Sequence, residues 1–120
     1  MKRDLEERTL KFAVEVRKFI VSLEKNYYIL EDARQLVRAS GSIGANYREA
    51  NESLSKKDFL MRLKISRKEA KESYYWLSII LKAYCLDTKK KDNCITLIQE
   101  SIELRNILSA IINKSAGNKP

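Results

Sequence analysis

The fold turns on Ser40-Gly41-Ser42-Ile43-Gly44-Ala45-Asn46-Tyr47-Arg48-Glu49-Ala50, where two glycines stand inside an unbroken helical pattern. Each glycine costs about 1 kcal/mol relative to alanine in a helix interior. Even so, Ile29, Ala33, Leu36, Ser40, Ile43, Tyr47 and Ala50 run through them at alternating spacings of four and three, which is one stripe of an α-helix. Val37 and Gly44 widen that stripe on one side. A helix that keeps small residues at its buried centre admits another backbone at close range. The competing reading, a phosphate-binding loop, needs glycines between a strand and a helix. No strand pattern precedes these.

Outward from this helix, the same period recurs. The preceding segment, Asp4 to Lys25, carries Leu5, Thr9, Phe12, Val16, Phe19 and Leu23 on one stripe, with Ala13 and Ile20 beside it. Leu10, Val14 and Val21 lie to one side, so more than one face is apolar. Asn26-Tyr27-Tyr28 is the predicted turn, and the glycine-bearing helix then runs from Ile29 or Leu30 to Asn51. Ser53 to Lys57 makes the next break, with Ser55 as N-cap at capping-box spacing from Asp58. A third helix, Lys56 to Tyr84, keeps the rhythm through Phe59, Leu63, Ser66, Ala70, Ser73, Leu77, Ile80 and Tyr84. Its small middle is expected to meet the small centre of the second helix in an antiparallel pair. Leu86 to Lys91 turns the chain again, capped by Asp87 or Thr88. The fourth helix, to Lys114, carries Cys94, Leu97, Ser101, Leu104, Leu108 and Ile111 on one stripe and Ile95, Ile98, Ile102 and Ile112 on another.

Four helices joined by short turns predict an all-α, antiparallel up-down-up-down four-helix bundle. At 120 residues and 44% hydrophobic content the chain buries one core, so residues 1–114 are read as a single domain and 115–120 as a disordered polar tail. One proline, at the last position, and three glycines leave little to interrupt helices. Apolar runs such as Trp76 to Leu81 are too short to span a bilayer. The N-terminus, Met1-Lys2-Arg3-Asp4, turns acidic within a few residues and lacks the apolar region of a signal peptide, so the expected location is cytoplasmic, away from membranes.

Helical bundles house metals and nucleases, which gives the residue types a direct test. A di-iron site of the ferritin kind needs Glu-x-x-His pairs, and the helical-bundle ribonucleases generally need a histidine. The chain has none. Cys85 and Cys94 flank a helix–helix turn, but two thiols without histidine do not complete a zinc site. They read as two partly buried thiols. Asn46, Arg48 and Glu49 are placed to join Arg62, Glu69 and Glu72 in a polar network between the second and third helices, structural in character because no nucleophile–base pair stands out. The expectation is a non-enzyme with no metal and no cofactor.

The chain carries 24 basic residues against 16 acidic ones, a net charge of +8. At about 100° per residue, Lys57, Lys64, Lys68, Lys71, Tyr75 and Lys82 fall in a narrow arc of the third helix opposite its core stripe. Clustered cations of this kind neutralise phosphates and release counterions, so the five lysines are the candidate nucleic-acid-binding residues. An ordinary solvated face is the competing reading. Met61, Ile65, Trp76 and Ile79 form a second apolar strip beside the arc, more apolar surface than a lone bundle should expose. Together with the two-faced first and fourth helices, it marks a candidate oligomer interface.

Gln35-Leu36-Val37-Arg38-Ala39-Ser40 and its continuation to Ala50, then Ser55-Lys56-Lys57-Asp58-Phe59, Lys68-Glu69-Ala70-Lys71-Glu72-Ser73 and Tyr75-Trp76-Leu77, closely resemble the 23S rRNA-intervening-sequence protein family. Its members are small bacterial four-helix-bundle proteins encoded within insertions in large-subunit rRNA genes. The resemblance covers nearly the whole chain in order and spacing. It implies similarity to the accessory variability protein of diversity-generating retroelements, a basic homopentamer that binds nucleic acid and a reverse transcriptase. A homopentamer is therefore the assembly that the resemblance favours. Its signature residues mostly determine the fold and do not map a binding site. Two functions follow as expectations: an oligomeric bundle that binds RNA or DNA through its basic surface, or a scaffold that docks an acidic or polymerase-type protein partner.

Overall fold

The computed structural model describes residues 2–117. Four helices account for nearly all of them: α1 (Lys2–Ser22), α2 (Tyr27–Asn51), α3 (Lys56–Ala83) and α4 (Thr88–Ser115). Each pair is joined by only four residues, 23–26, 52–55 and 84–87. Connections this short return the next helix antiparallel beside the last. α1 packs on α2 and α4, and α3 packs on α2 and α4, while the diagonal pairs stay apart. The result is the antiparallel four-helix bundle expected from the periodicity, 45 × 25 × 21 Å. Its long axis is set by α3 and α4, since 28 residues rise about 42 Å.

Side-chain caps fix the helix ends. Asn26, Ser55 and Asp87 each accept a hydrogen bond from the backbone N–H three residues on, at 3.0, 3.1 and 2.9 Å. These satisfy donors that a helix start otherwise leaves orphaned. Asn26 therefore starts α2 at Tyr27, two or three residues before the predicted Ile29 or Leu30, because asparagine caps as well as it turns. α1 ends at Ser22, short of the expected Lys25. There Lys25 Nζ folds back to donate to the carbonyls of Leu23, Val21 and Ile20 at 2.8, 3.2 and 3.3 Å. α4 runs one residue further than predicted and closes at Gly117, whose φ of +82° ends the helix while its N–H donates to Lys114 O. Of the predicted tail, Ser115 thus belongs to the helix, and residues 118–120 lie outside the described part.

The predicted stripes form the core. Leu5, Phe12, Val16 and Phe19 of α1, with Leu23 just after it, meet Leu36 and Ile43 of α2, Leu63, Leu77 and Ile80 of α3, and Leu97, Leu104 and Leu108 of α4 in one cluster. One stripe shifts register. Ile112 is buried and Ile111 only partly so, because the last step of the α4 seam is four residues where a strict heptad would have three. Every helix also places a small hydroxyl residue in the core: Thr9, Ser40, Ser66, Ser73 and Ser101 are all buried. Each donates to a backbone carbonyl, so none is an unpaired polar group. Ser66 does so across helices, to Ile43 O at 2.7 Å. α2 and α3 meet there through small residues, as expected. Gly44, however, serves the other neighbour: its bare Cα faces Thr9 of α1.

Candidate nucleic-acid interface

α3 has three acidic residues, and two of them reach toward α2. Glu69, 8% exposed, and Glu72 turn toward α2, where Arg38 reaches them at 3.3 and 2.9 Å. Arg62 bonds Asn46 Oδ1 across the same seam at 3.1 Å. The predicted α2–α3 network is thus present, but with Arg38 at its centre. Arg48 points the opposite way and pairs with Glu6 of α1 at 3.4 Å, where Asn51 also donates to Glu6 at 2.9 Å. Glu49 contributes only its backbone carbonyl, which accepts from Glu52 N and Ser53 Oγ. Arg38 was missed because its arc on α2 looks solvated. Only the length of the arginine stem brings its guanidinium to α3.

The outer face of α3 is then mainly basic, with Asp58 and the edge of Glu72 as its acidic members. Lys57, Lys64, Lys68, Lys71 and Lys82 are all exposed. Among the described residues none of the five takes part in an ion pair or hydrogen bond, although lysines elsewhere do. Like charges spaced along one face and left without counter-ions raise the local positive potential.

The predicted apolar strip lies on this same face. Met61 is 48% exposed, Ile65 and Ile79 are partly buried, and Trp76 packs against the core with its indole N–H buried and unpaired. Three shallow hollows follow one another along the helix. The first, about 550 Å³, is lined by Lys57, Asp58, Lys64 and Lys68 around Leu60, Met61 and Ile65. In the second, Lys68, Lys71 and Glu72 surround Tyr75 and Trp76, and in the third Lys82 stands beside Tyr75 and Ile79. The residues predicted for nucleic acid and those predicted for an oligomer contact therefore share one surface. Exposed apolar side chains also lie on the outer shoulder of α1, where Leu10, Val14 and Val21 (75% exposed) stay open, and Leu30 of α2 is exposed as well.

Perturbed ionisable groups lie elsewhere. The Tyr84 phenol is pushed up to about 12, foremost by its hydrogen bond to Asp32. Burial pushes the Cys94 thiol up to about 11 and raises the Tyr47 phenol. Hydrogen bonds from Arg8 to Glu100 and Glu103, at 2.7 to 2.8 Å, raise the Arg8 guanidinium further and tie α1 to α4. Cys85 is exposed while Cys94 is buried, its thiol 3.5 Å from Leu77 O, and both are free. Among the described residues, no three His, Cys, Asp or Glu side chains gather as a metal-ligand set, and no helix is long and apolar enough to cross a membrane.

Fold and surface together define an all-α bundle with five exposed lysines along the outer face of α3. The chain belongs to the 23S rRNA-intervening sequence protein family, whose model matches residues 2–110. It is similar to a crystal structure from Bacteroides thetaiotaomicron, described as a protein of unknown function from the S23 ribosomal protein family. The two are 32% identical, with a TM-score of 0.76 over 90% of this chain and 97% of that one. No curated protein matches.

Proposed function

We propose that the protein is a non-enzymatic, self-associating bundle that binds nucleic acid through the outer face of α3. One observation carries the reading: five lysines stand on that face without partners, while Glu69 and Glu72 of the same helix are engaged by Arg38. The lysines outnumber the carboxylates on that face, where Asp58 and the Arg38-paired Glu72 are the acidic residues lining the hollows. The net charge of +8 points the same way, as does the resemblance to the basic, pentameric accessory variability protein. Pentameric assembly is part of the proposal on that resemblance alone.

The test is anisotropy of labelled RNA and DNA at low and moderate salt. Affinity that falls steeply with salt means several phosphates are neutralised at once. Reversing Lys64, Lys68 and Lys71 together should then weaken binding at least tenfold and flatten the salt dependence. Unchanged affinity in that variant would remove α3 from the site.

A second reading draws on the apolar floor of the first hollow. Met61 and Ile65 ringed by Lys57, Lys64 and Lys68 suit an acidic amphipathic segment of a protein partner. A partner that still co-purifies after nuclease treatment, and is lost on Met61→Asp, would favour it.

A further inference from the structure

We infer that the α3 face takes single-stranded nucleic acid in preference to duplex, with bases stacked against Tyr75. The inference rests on the nucleic-acid reading above and adds the form of the ligand. Tyr75 is 58% exposed, and its ring is braced edge-to-face on Trp76, with centroids 5.2 Å apart and planes at 77°. It stands as a ridge between two hollows. Lys68, Lys71 and Glu72, the last already paired with Arg38, edge the one on its N-terminal side, and Lys82 edges the one on its C-terminal side. Each hollow exposes more apolar than polar surface.

That combination asks for a ligand with both flat apolar faces and anionic links. A duplex keeps its bases stacked inside and offers a protein mainly its phosphates, so the lysines would be used and the hollows left bare. A single strand supplies both. Its bases stack on aromatic rings whatever their identity, while its phosphates follow a basic groove. The other exposed aromatic pair, Tyr27 and Tyr28, lacks the second half of this arrangement. Lys25 nearby is bonded to three carbonyls. Tyr75 has free cations on both sides.

Trp76 is the chain's one tryptophan and lines the hollow beside Tyr75, so its fluorescence reports on the site directly. The full chain is titrated with a poly-dT oligonucleotide, with a DNA duplex of the same length, and with polyphosphate, a polyanion that has no bases. Poly-dT is expected to bind about tenfold more tightly than either competitor and alone to quench Trp76. Tyr75→Ala should lower the poly-dT affinity about tenfold, within the range measured for losing one stacked base. Tyr75→Phe should keep the affinity, and an unchanged helical circular dichroism spectrum shows that both variants are folded. Equal binding of all three polyanions, or a Tyr75→Ala variant that binds poly-dT like the parent, overturns stacking and leaves a face that reads charge alone. Failure to bind any of them at low salt overturns the nucleic-acid reading as well.

Discussion

Gly44 of α2 lies against Thr9 of α1 so closely that a Cβ on the glycine would sit 2.7 Å from Thr9 Oγ1 and 3.1 Å from Thr9 Cβ. Thr9 is itself fully buried, and its hydroxyl donates to Glu6 O at 3.0 Å, so it has nowhere to retreat. Gly44→Ala is therefore expected to destabilise the bundle by about 1–3 kcal/mol, the usual cost of overpacking, despite alanine's better helix propensity. Gly41 provides the control. A Cβ there meets only Arg17 Nη2, at 3.2 Å, the far end of a flexible and exposed side chain. Gly41→Ala should be neutral or stabilising by up to about 1 kcal/mol. Thermal melts of the two variants should move apart, and equal shifts would mean that α1 is not held at Gly44.

Arg38 offers a second contrast, because half of its work is invisible from the surface. Its guanidinium is about half exposed, but Glu69, its partner, is buried. Arg38→Ala strands that carboxylate and is expected to cost about 1–3 kcal/mol, more than an exposed ion pair contributes. Adding Glu69→Gln to Arg38→Ala should recover much of the loss, since a neutral amide is less costly to leave half-paired. Denaturant melts of the single and double variants check this. A single variant as stable as the parent would show that Glu69 finds water instead.

These two sites show what the sequence made legible. The 4-3 stripes predicted most of the core, though Phe59, Tyr84 and Ile111 are only partly buried, because burial on a helix is a matter of angle, and angle follows from spacing. The small centre of α2 announced a close neighbour, yet the choice of α1 for Gly44 depended on which shoulder each neighbour occupies, and no single stripe encodes that. The lysine arc was legible for the same angular reason. Its lack of counter-ions was not, since it depends on Arg38 reaching across from α2 to hold Glu69 and Glu72. The swap of Ile111 for Ile112 had a similar origin: one step of four in place of three rotates the end of a seam, and only packing decides where that step falls.

Alkaline pH should loosen the bundle in a defined order. Cys94 is pushed up from 9.0 to about 11 by burial, and Tyr84 from 10.0 to about 12 by its bond to Asp32. Tyr47 is raised as well, through burial. In each case the folded state holds its proton to higher pH than the unfolded chain, so the unfolded state binds fewer protons and stability declines as pH rises. The contribution of Cys94 is complete below pH 9 and lost by about pH 11; that of Tyr84 is complete below pH 10 and lost by about pH 12. Melts recorded through this range should be flat up to pH 9 and then fall. Cys94→Ala should delay the onset by about one pH unit, though it lowers the plateau by leaving a small cavity. The same burial predicts that a thiol reagent labels Cys85 quickly and Cys94 only on unfolding. Two fast thiols in the folded protein would contradict it.

Self-association is expected to use the shoulder of α1. Leu10, Val14 and Val21 leave apolar side chains open to solvent there. The strip on α3 is less exposed, and Lys57, Lys64 and Lys68 surround Met61 and Ile65. Pressing two such faces together would bring like charges into contact while removing them from water, which disfavours the contact by both repulsion and desolvation. The shoulder carries no such penalty, because Arg17 beside it is already bonded to Ala13 O and Val37 O. Replacing Leu10, Val14 and Val21 by serine should therefore reduce the mass measured by light scattering to that of one chain, 14.0 kDa, and leave helicity intact. Met61→Ser with Ile65→Ser should leave the assembly mass unchanged. The reverse pattern would place the subunit contact on the lysine face, and nucleic acid would then have to bind after assembly had covered part of it.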